Sequence, residues 1–172
     1  MSLVSNKSHK QSKTNRAVRA TVLLLITVAL ALAGCNRKAI YSHYEHTELD
    51  GWSATDSLVF NLDPLKADCT YSERIGLRAN GEFPYQGIVL VIDQRVLPSG
   101  KHYVDTLKAR LADEDGTFLG SGNNYFQYDF SLRELDLQKG DSLHFCIRHA
   151  MNGETLPGIS DVGVTVEVKG EK

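Results

Sequence analysis

Val162, Val164, Val166 and Val168 alternate with Gly163, Thr165, Glu167 and Lys169. A period of two in β-branched residues predicts a strand with one face buried. The same alternation recurs at Ser57–Leu62, Tyr71–Ala79, His102–Leu111, Phe126–Phe130 and Leu143–Arg148. In the Tyr71 segment, Tyr71, Ile75, Leu77 and Ala79 share one parity, and Glu73 interrupts that face. Ile88–Ile92 is instead a continuous apolar run of strand length, as expected for a strand covered on both sides. It continues toward Leu97, and Pro98-Ser99-Gly100-Lys101 reads as a hairpin turn into the next strand. Only Ser131–Leu135 carries a helix signal, with Ser131 as a cap and Glu134 three residues on; it reads equally as a loop. The pattern predicts an all-β chain, a single antiparallel β-sandwich of seven to eight short strands.

The N-terminal pattern is of another kind. Lys7, Lys10, Lys13, Arg16 and Arg19 precede an apolar run from Thr21 to Ala33, and Ala33 and Gly34 then lead to Cys35. Basic, apolar and small-residue regions in this order make a secretory signal peptide. The apolar run is shorter than the roughly 20 residues of a bilayer-spanning helix. Leu32-Ala33-Gly34-Cys35 resembles the lipobox of bacterial lipoproteins. That resemblance implies cleavage between Gly34 and Cys35, a diacylglycerol thioether on Cys35 and acylation of the new amino group. Two or more acyl chains hold a protein on a membrane where one does not. The expected organisation is therefore a leader at 1–34, a lipidated tether at 35–44 and a sandwich domain at 45–172.

Removing the leader changes the charge. The whole chain has a net charge of −2, but the mature part carries 14 Lys and Arg against 21 Asp and Glu, a net of −7. An acidic domain lacks the cations that nucleic-acid binding needs, so no nucleic acid is expected. Export also places Cys69 and Cys146 in a compartment that permits disulfides. They are read either as a bridge closing a long loop or as two free thiols, the latter preferred.

Candidate chemistry is thin. Asp113-Glu114-Asp115-Gly116 suggests a calcium loop, but the glycine falls at position 4 and position 12 is Asn124, so an ordinary turn is the better reading. His43 and His46 lack further ligands at zinc spacing. Ser160, Asp161 and His149 are the residue types of a hydrolase triad, without a nucleophile elbow around Ser160. No metal, cofactor or small-molecule ligand is expected. Leu119-Gly120-Ser121-Gly122 allows close backbone approach, and the aromatic residues Tyr125, Phe126, Tyr128 and Phe130 follow it. These rings either fill the core or, exposed, stack on a partner.

Several motifs in order resemble the GldH-type gliding-motility lipoproteins of the Bacteroidota. They are the lipobox ending at Cys35, the lone Trp52, Leu77–Asn80 leading into Phe83-Pro84-Tyr85, Asp105-Thr106-Leu107, and Ala112–Gly116. Leu119–Gly122, His149-Ala150-Met151 and Leu156-Pro157-Gly158-Ile159-Ser160-Asp161-Val162-Gly163 complete the series. Phe83 stands where a tyrosine is expected. The resemblance implies a non-enzymatic, lipid-anchored role in the envelope machinery of gliding, associated in that phylum with type IX secretion, with other envelope proteins as partners. It transfers no catalytic residue. The contact surface is expected around Leu119, Gly120, Ser121 and Gly122 and around Leu156, Pro157, Gly158 and Asp161. Asn36-Arg37-Lys38 after Cys35 lacks the acidic residues of surface-exported lipoproteins, which points to the periplasmic face of the outer membrane. A glycan-binding lipoprotein is the alternative, and it requires a row of exposed aromatics from Tyr103, Tyr125 and Tyr128.

Overall fold

The computed structural model describes residues 39–48 and 50–171. The leader, Gly34, Cys35 and the first residues of the expected tether lie outside them. Ten strands follow in order. They are β1 (Ala39–His46), β2 (Trp52–Ser53), β3 (Leu58–Leu62), β4 (Cys69–Asn80), β5 (Gly87–Leu97), β6 (Lys101–Arg110), β7 (Tyr125–Leu137), β8 (Ser142–His149), β9 (Thr155–Leu156) and β10 (Ile159–Glu171). Two four-stranded antiparallel sheets carry the fold, β1-β10-β4-β7 and β3-β8-β5-β6, with β2 and β9 as a short separate pair. The first four-stranded sheet is called sheet A below and the second sheet B.

The alternation seen in the sequence fills the space between them. Val162, Val164 and Val166 of β10, Ile75 and Leu77 of β4, Leu90 and Ile92 of β5 and Phe145 and Ile147 of β8 are all fully buried. A side-chain period of two places every second residue of these strands on the inner face. Hydrophobic burial of this kind is the main stabilising term of such a domain, at roughly 25 cal/mol per Å² of apolar surface. Glu73, the residue that interrupts the apolar face of β4, sits in this core. It accepts a 2.6 Å hydrogen bond from Gln94 of β5, and Arg133 of β7 stands 3.8 Å from its other oxygen. Burial pushes the Glu73 carboxyl up to about 7, against the lowering effects of Gln94 and Arg133.

Three expectations change. The tether drawn to residue 44 is too long, because Ala39–His46 is strand β1, hydrogen-bonded along β10. It carries no aliphatic stripe, and its half-buried residues are Tyr41, Tyr44 and Glu45. Ser131–Leu135 is neither a helical turn nor a loop but the middle of β7. Between Glu73↔Arg133 and Arg74↔Ser131 the register shifts, leaving Leu132 as an extra residue. Such a bulge reverses the inward parity, so Phe126, Tyr128 and Phe130 face in before it and Arg133, Leu135 and Leu137 after it. That break in alternation imitates helical spacing. Finally, β5 is covered on one face only: Ile88, Leu90 and Ile92 are buried, whereas Val89 and Val91 on the outer face are half-buried.

Candidate functional site at the end of sheet A

The outer face of sheet A is organised around one ring. Tyr44 of β1 is paired with Gly163 of β10, and Gly163 with Gly76 of β4. The ring lies flat over both glycines; a Cβ on Gly163 would stand 2.6 Å from it, and one on Gly76 would meet its hydroxyl. Glycine inside a strand commonly marks such a close approach. The hydroxyl reaches β7, where Gln127 Nε2 donates to it at 2.7 Å. The Arg78 guanidinium lies 4.6 Å from the ring centroid, a cation–π contact. One side chain therefore ties all four strands. Burial, the largest influence, raises the Tyr44 phenol above its ordinary value, although Gln127, Arg78 and Arg74 pull it down.

Beside the ring runs a polar row across the same strands: His46, Asp161, Arg78, Gln127 and Ser121. Asp161 is buried; its Oδ2 accepts from the Ser160 hydroxyl at 2.7 Å, and its Oδ1 lies 2.6 Å from His46 Nδ1 and 3.7 Å from Arg78. Arg78 Nε donates to Gln127 at 2.9 Å. Ser121 and Gln127 exchange two backbone hydrogen bonds, at 3.0 and 2.9 Å, which bring the Leu119–Gly122 loop to the end of the row. The sheet thus unites two segments that are 35 residues or more apart in sequence, Leu119–Gly122 and Ser160–Asp161.

The segment expected as a contact surface divides in two. Leu119 is 55% exposed and Tyr125 56% exposed, while Ser121 and Gly122 are also on the surface. In contrast, Leu156 and Gly158 are buried. Leu156 pairs with Trp52 in the β2–β9 ribbon, and Gly158, at φ +78°, packs against the Phe83 backbone and accepts a hydrogen bond from Asn80 N–H at 2.8 Å. A side chain there would both strain the backbone and collide with Phe83. Leu156-Pro157-Gly158 is therefore a structural corner in which only Pro157 is exposed.

The triad types do not converge. His149 is buried against Trp52, with ring centroids 5.2 Å apart. Its Nε2 faces the Trp52 carbonyl at 3.1 Å and its Nδ1 accepts from Met151 N–H at 3.3 Å, so both nitrogens are engaged by the neutral ring. Burial lowers its pKa, which fits that state. Ser160 donates to a carboxylate rather than to an imidazole, which does not activate it as a nucleophile. The Asp113 turn is held by its own carboxylate, which accepts from Asp115 N–H and Thr117 N–H. Cys69 and Cys146 are free thiols, Cys69 buried in β4 of sheet A and Cys146 on the outer face of sheet B. Of the three rings the glycan reading required, Tyr125 alone is exposed; Tyr128 is buried, its hydroxyl bonded to the Leu111 carbonyl, and Tyr103 lies under Arg133.

Tyr44, His46, Arg78 and Gln127 carry this site; the sequence marks His46 only as a weak zinc candidate and Arg78 only within the Leu77–Asn80 motif, and it marks neither Tyr44 nor Gln127. The glycines inside β4 and β10 were the signal available.

The GldH lipoprotein family model matches residues 39–166. The gliding motility lipoprotein GldH of Flavobacterium johnsoniae is 27% identical over 153 residues, covering 85% of this chain and 95% of that protein. Among solved structures the chain is similar to a GH115 4-O-methyl-alpha-glucuronidase, at 13% identity and a TM-score of 0.44, over 79% of this chain and 18% of that one. It is also similar to the xylan-binding module CBM15, at 12% identity and a TM-score of 0.39, over 77% and 100%. Neither structural likeness bears on what this chain binds. The family match spans nearly the whole described sandwich, and on it the chain belongs to the GldH lipoprotein family, as a gliding-motility-associated lipoprotein of the cell envelope.

Proposed function

We propose that the protein is a non-catalytic docking lipoprotein. It is lipidated on Cys35, faces the periplasm from the outer membrane, and holds envelope proteins of the gliding or type IX secretion machinery through the Ser121 end of the polar row on sheet A. The observation that carries this reading is the union of Leu119–Gly122 with Asp161 through Gln127 and Arg78, beside the exposed side chains of Leu119 and Tyr125. An exposed tyrosine next to a rigid, hydrogen-bonded row is the kind of anchor that dominates protein contacts. The row also lies at the His46 end of β1, about 23 Å along the strand from Ala39, where the chain arrives from Cys35. Membrane anchoring raises the local concentration of the site, so a weak contact is enough.

A photo-crosslinking residue at Leu119 or Tyr125 in the native envelope tests the surface. Defined protein adducts are expected at both positions and none at Thr70, on the same sheet near the far end of β4. Absence of adducts, together with unchanged gliding and secretion in a Leu119→Ala/Tyr125→Ala strain, would refute the docking site. Cys35→Ala should release the protein from the membrane fraction; retention as tight as in the wild type would refute the anchor.

A further inference from the structure

The outer face of sheet B is chemically unlike the rest of this acidic protein. Arg148 of β8, Arg95 of β5 and Lys108 and Arg110 of β6 are exposed on it, with His144 and His102 among them. Among the described residues Asp93 is its only carboxylate, and it is shared between His102 at 2.9 Å and Arg95 at 3.8 Å. Arg148 and Lys108 have no ion-pair partner among the described residues. Acids return in the turns around the rim: Asp56 before β3, Asp113–Asp115 after β6 and Asp141 before β8. Between the cations the same face exposes Val59 at 42%, Leu97 at 49% and Val104 at 60%. A shallow depression of about 400 Å³, lined by Val91, Arg95, Val104, His144, Cys146 and Arg148, occupies its middle.

We propose that this face lies on the anionic phospholipid leaflet in which the protein is anchored. The inference rests on the anchoring by Cys35 proposed above and adds the orientation of the domain. Three observations favour lipid over a protein partner. The cations are spread across a broad sheet face rather than focused in a cleft, as a fluid array of phosphates requires. Aliphatic side chains stand between them, suited to the boundary of headgroup and acyl chain. The chain also enters the domain at the right corner. Only residues 36–38 separate Cys35 from β1, a reach of at most about 14 Å. The start of β1 adjoins the end of β3, where Ile40 and Tyr41 share a pocket with Asn61 and Leu62. Basic residues near an anionic leaflet are attracted within about a Debye length of 8–10 Å, and a tether of at most about 14 Å lets the face settle into that range. A lipid chain and a basic surface together make a firmer attachment than either alone.

Cys146 is a native reporter of this contact, because its thiol lies on the face while Cys69 is buried. The processed, lipidated protein is inserted into preformed vesicles of phosphatidylcholine, or of phosphatidylcholine mixed with phosphatidylglycerol. Alkylation of Cys146 by a membrane-impermeant maleimide is then timed. The expected rate is at least about fivefold slower on the anionic vesicles, with the difference abolished by high salt. An Arg95→Gln/Lys108→Gln/Arg148→Gln variant should lose the difference, whereas Arg74→Gln on sheet A should keep it. The ratio of the two rates, taken on each variant, cancels any change in the thiol's own reactivity. Equal rates on both vesicles, with the protein floating with both, would overturn the inference and leave the anchor standing. Protection in native envelopes but on neither vesicle would give the face to a protein partner and overturn it too. Failure to float with either vesicle would overturn the anchor and this orientation together.

Discussion

The two outer faces of the sandwich use charge in opposite ways. On sheet A, charged groups are spent on one another: Arg74 bonds Glu167 at 2.9 Å, Lys169 pairs with Glu134, and Arg78 lies between Asp161, Gln127 and the Tyr44 ring. On sheet B, Arg148 and Lys108 meet no carboxylate among the described residues, and Asp93 serves only Arg95 and His102 there. Internally paired charge holds a sheet in one shape and presents little net field. Unpaired charge contributes little to the fold and is available to something outside it. A net charge of −7 over residues 35–172 hides this division, since the average sign of a protein says nothing of the sign of one face.

Gly163→Val is the strongest way to break the comparison. If sheet A were an ordinary sheet, valine would stabilise it, because glycine in a strand costs about 0.5–1 kcal/mol relative to alanine and valine favours strands. With Tyr44 lying on this position, the substitution should instead cost about 3 kcal/mol in urea unfolding, through displacement of the ring from Gln127 and Arg78. Tyr44→Ala/Gly163→Val should recover part of that loss. A more stable Gly163→Val single variant would show that the ring does not hold the sheet.

Glu73 gives the next largest effect and separates the core from both faces. Its carboxyl is pushed up to about 7 from an ordinary 4.5. Between those values the folded chain holds a proton that the unfolded chain has released, so stability falls as pH rises through the window and levels off above it. The full span corresponds to something on the order of 3 kcal/mol. Glu73→Gln should remove this dependence and exceed the wild type in stability at pH 8 by about 2 kcal/mol. His149 works in the opposite sense: its pKa is lowered, so below about 6.5 the unfolded chain takes up protons that the folded chain resists, and stability falls as pH falls. Thermal unfolding of both proteins from pH 5 to 8 resolves the two. A Glu73→Gln profile parallel to that of the wild type would mean that Glu73 does not titrate in the core.

How much was legible beforehand follows the same division. The core-facing stripes of β4, β8 and β10 were written in alternating aliphatic residues, and the all-β sandwich with its β5–β6 hairpin followed from them. β1 was missed because it has no aliphatic stripe: Tyr41 alone of its large apolar residues packs against the core, and Tyr44 lies across the outer face of the sheet. The second half of β7 was missed because one bulged residue, Leu132, shifted the pattern by one place. The meeting of Ser121 with Asp161 through Gln127 and Arg78 was beyond the sequence, since strand order is long-range information. The basic face was illegible for a related reason: Arg95, Lys108 and Arg148 come from three strands, and each looks like an ordinary exposed residue until the register places them on one outer face.

The smallest expected effects sharpen the comparison most. Arg78→Gln removes a guanidinium that lies on Tyr44, bonds Gln127 and stands near buried Asp161, and should destabilise by about 1–2 kcal/mol in urea. Arg148→Gln removes a cation of the same type from the opposite face, exposed and without an acidic partner among the described residues, and should change stability by less than about 0.5 kcal/mol. It relieves repulsion from Arg95, which lines the same depression, so a slight gain is the expected sign. Equal losses for the two arginines would mean that Arg148 is bound into the fold as firmly as Arg78, and the face of sheet B would then have no spare charge to offer a membrane. A loss at Arg78 alone places the structural arginine on one side of the sandwich and the free one on the other, as a domain that rests one face on lipid and turns the other toward its partners requires.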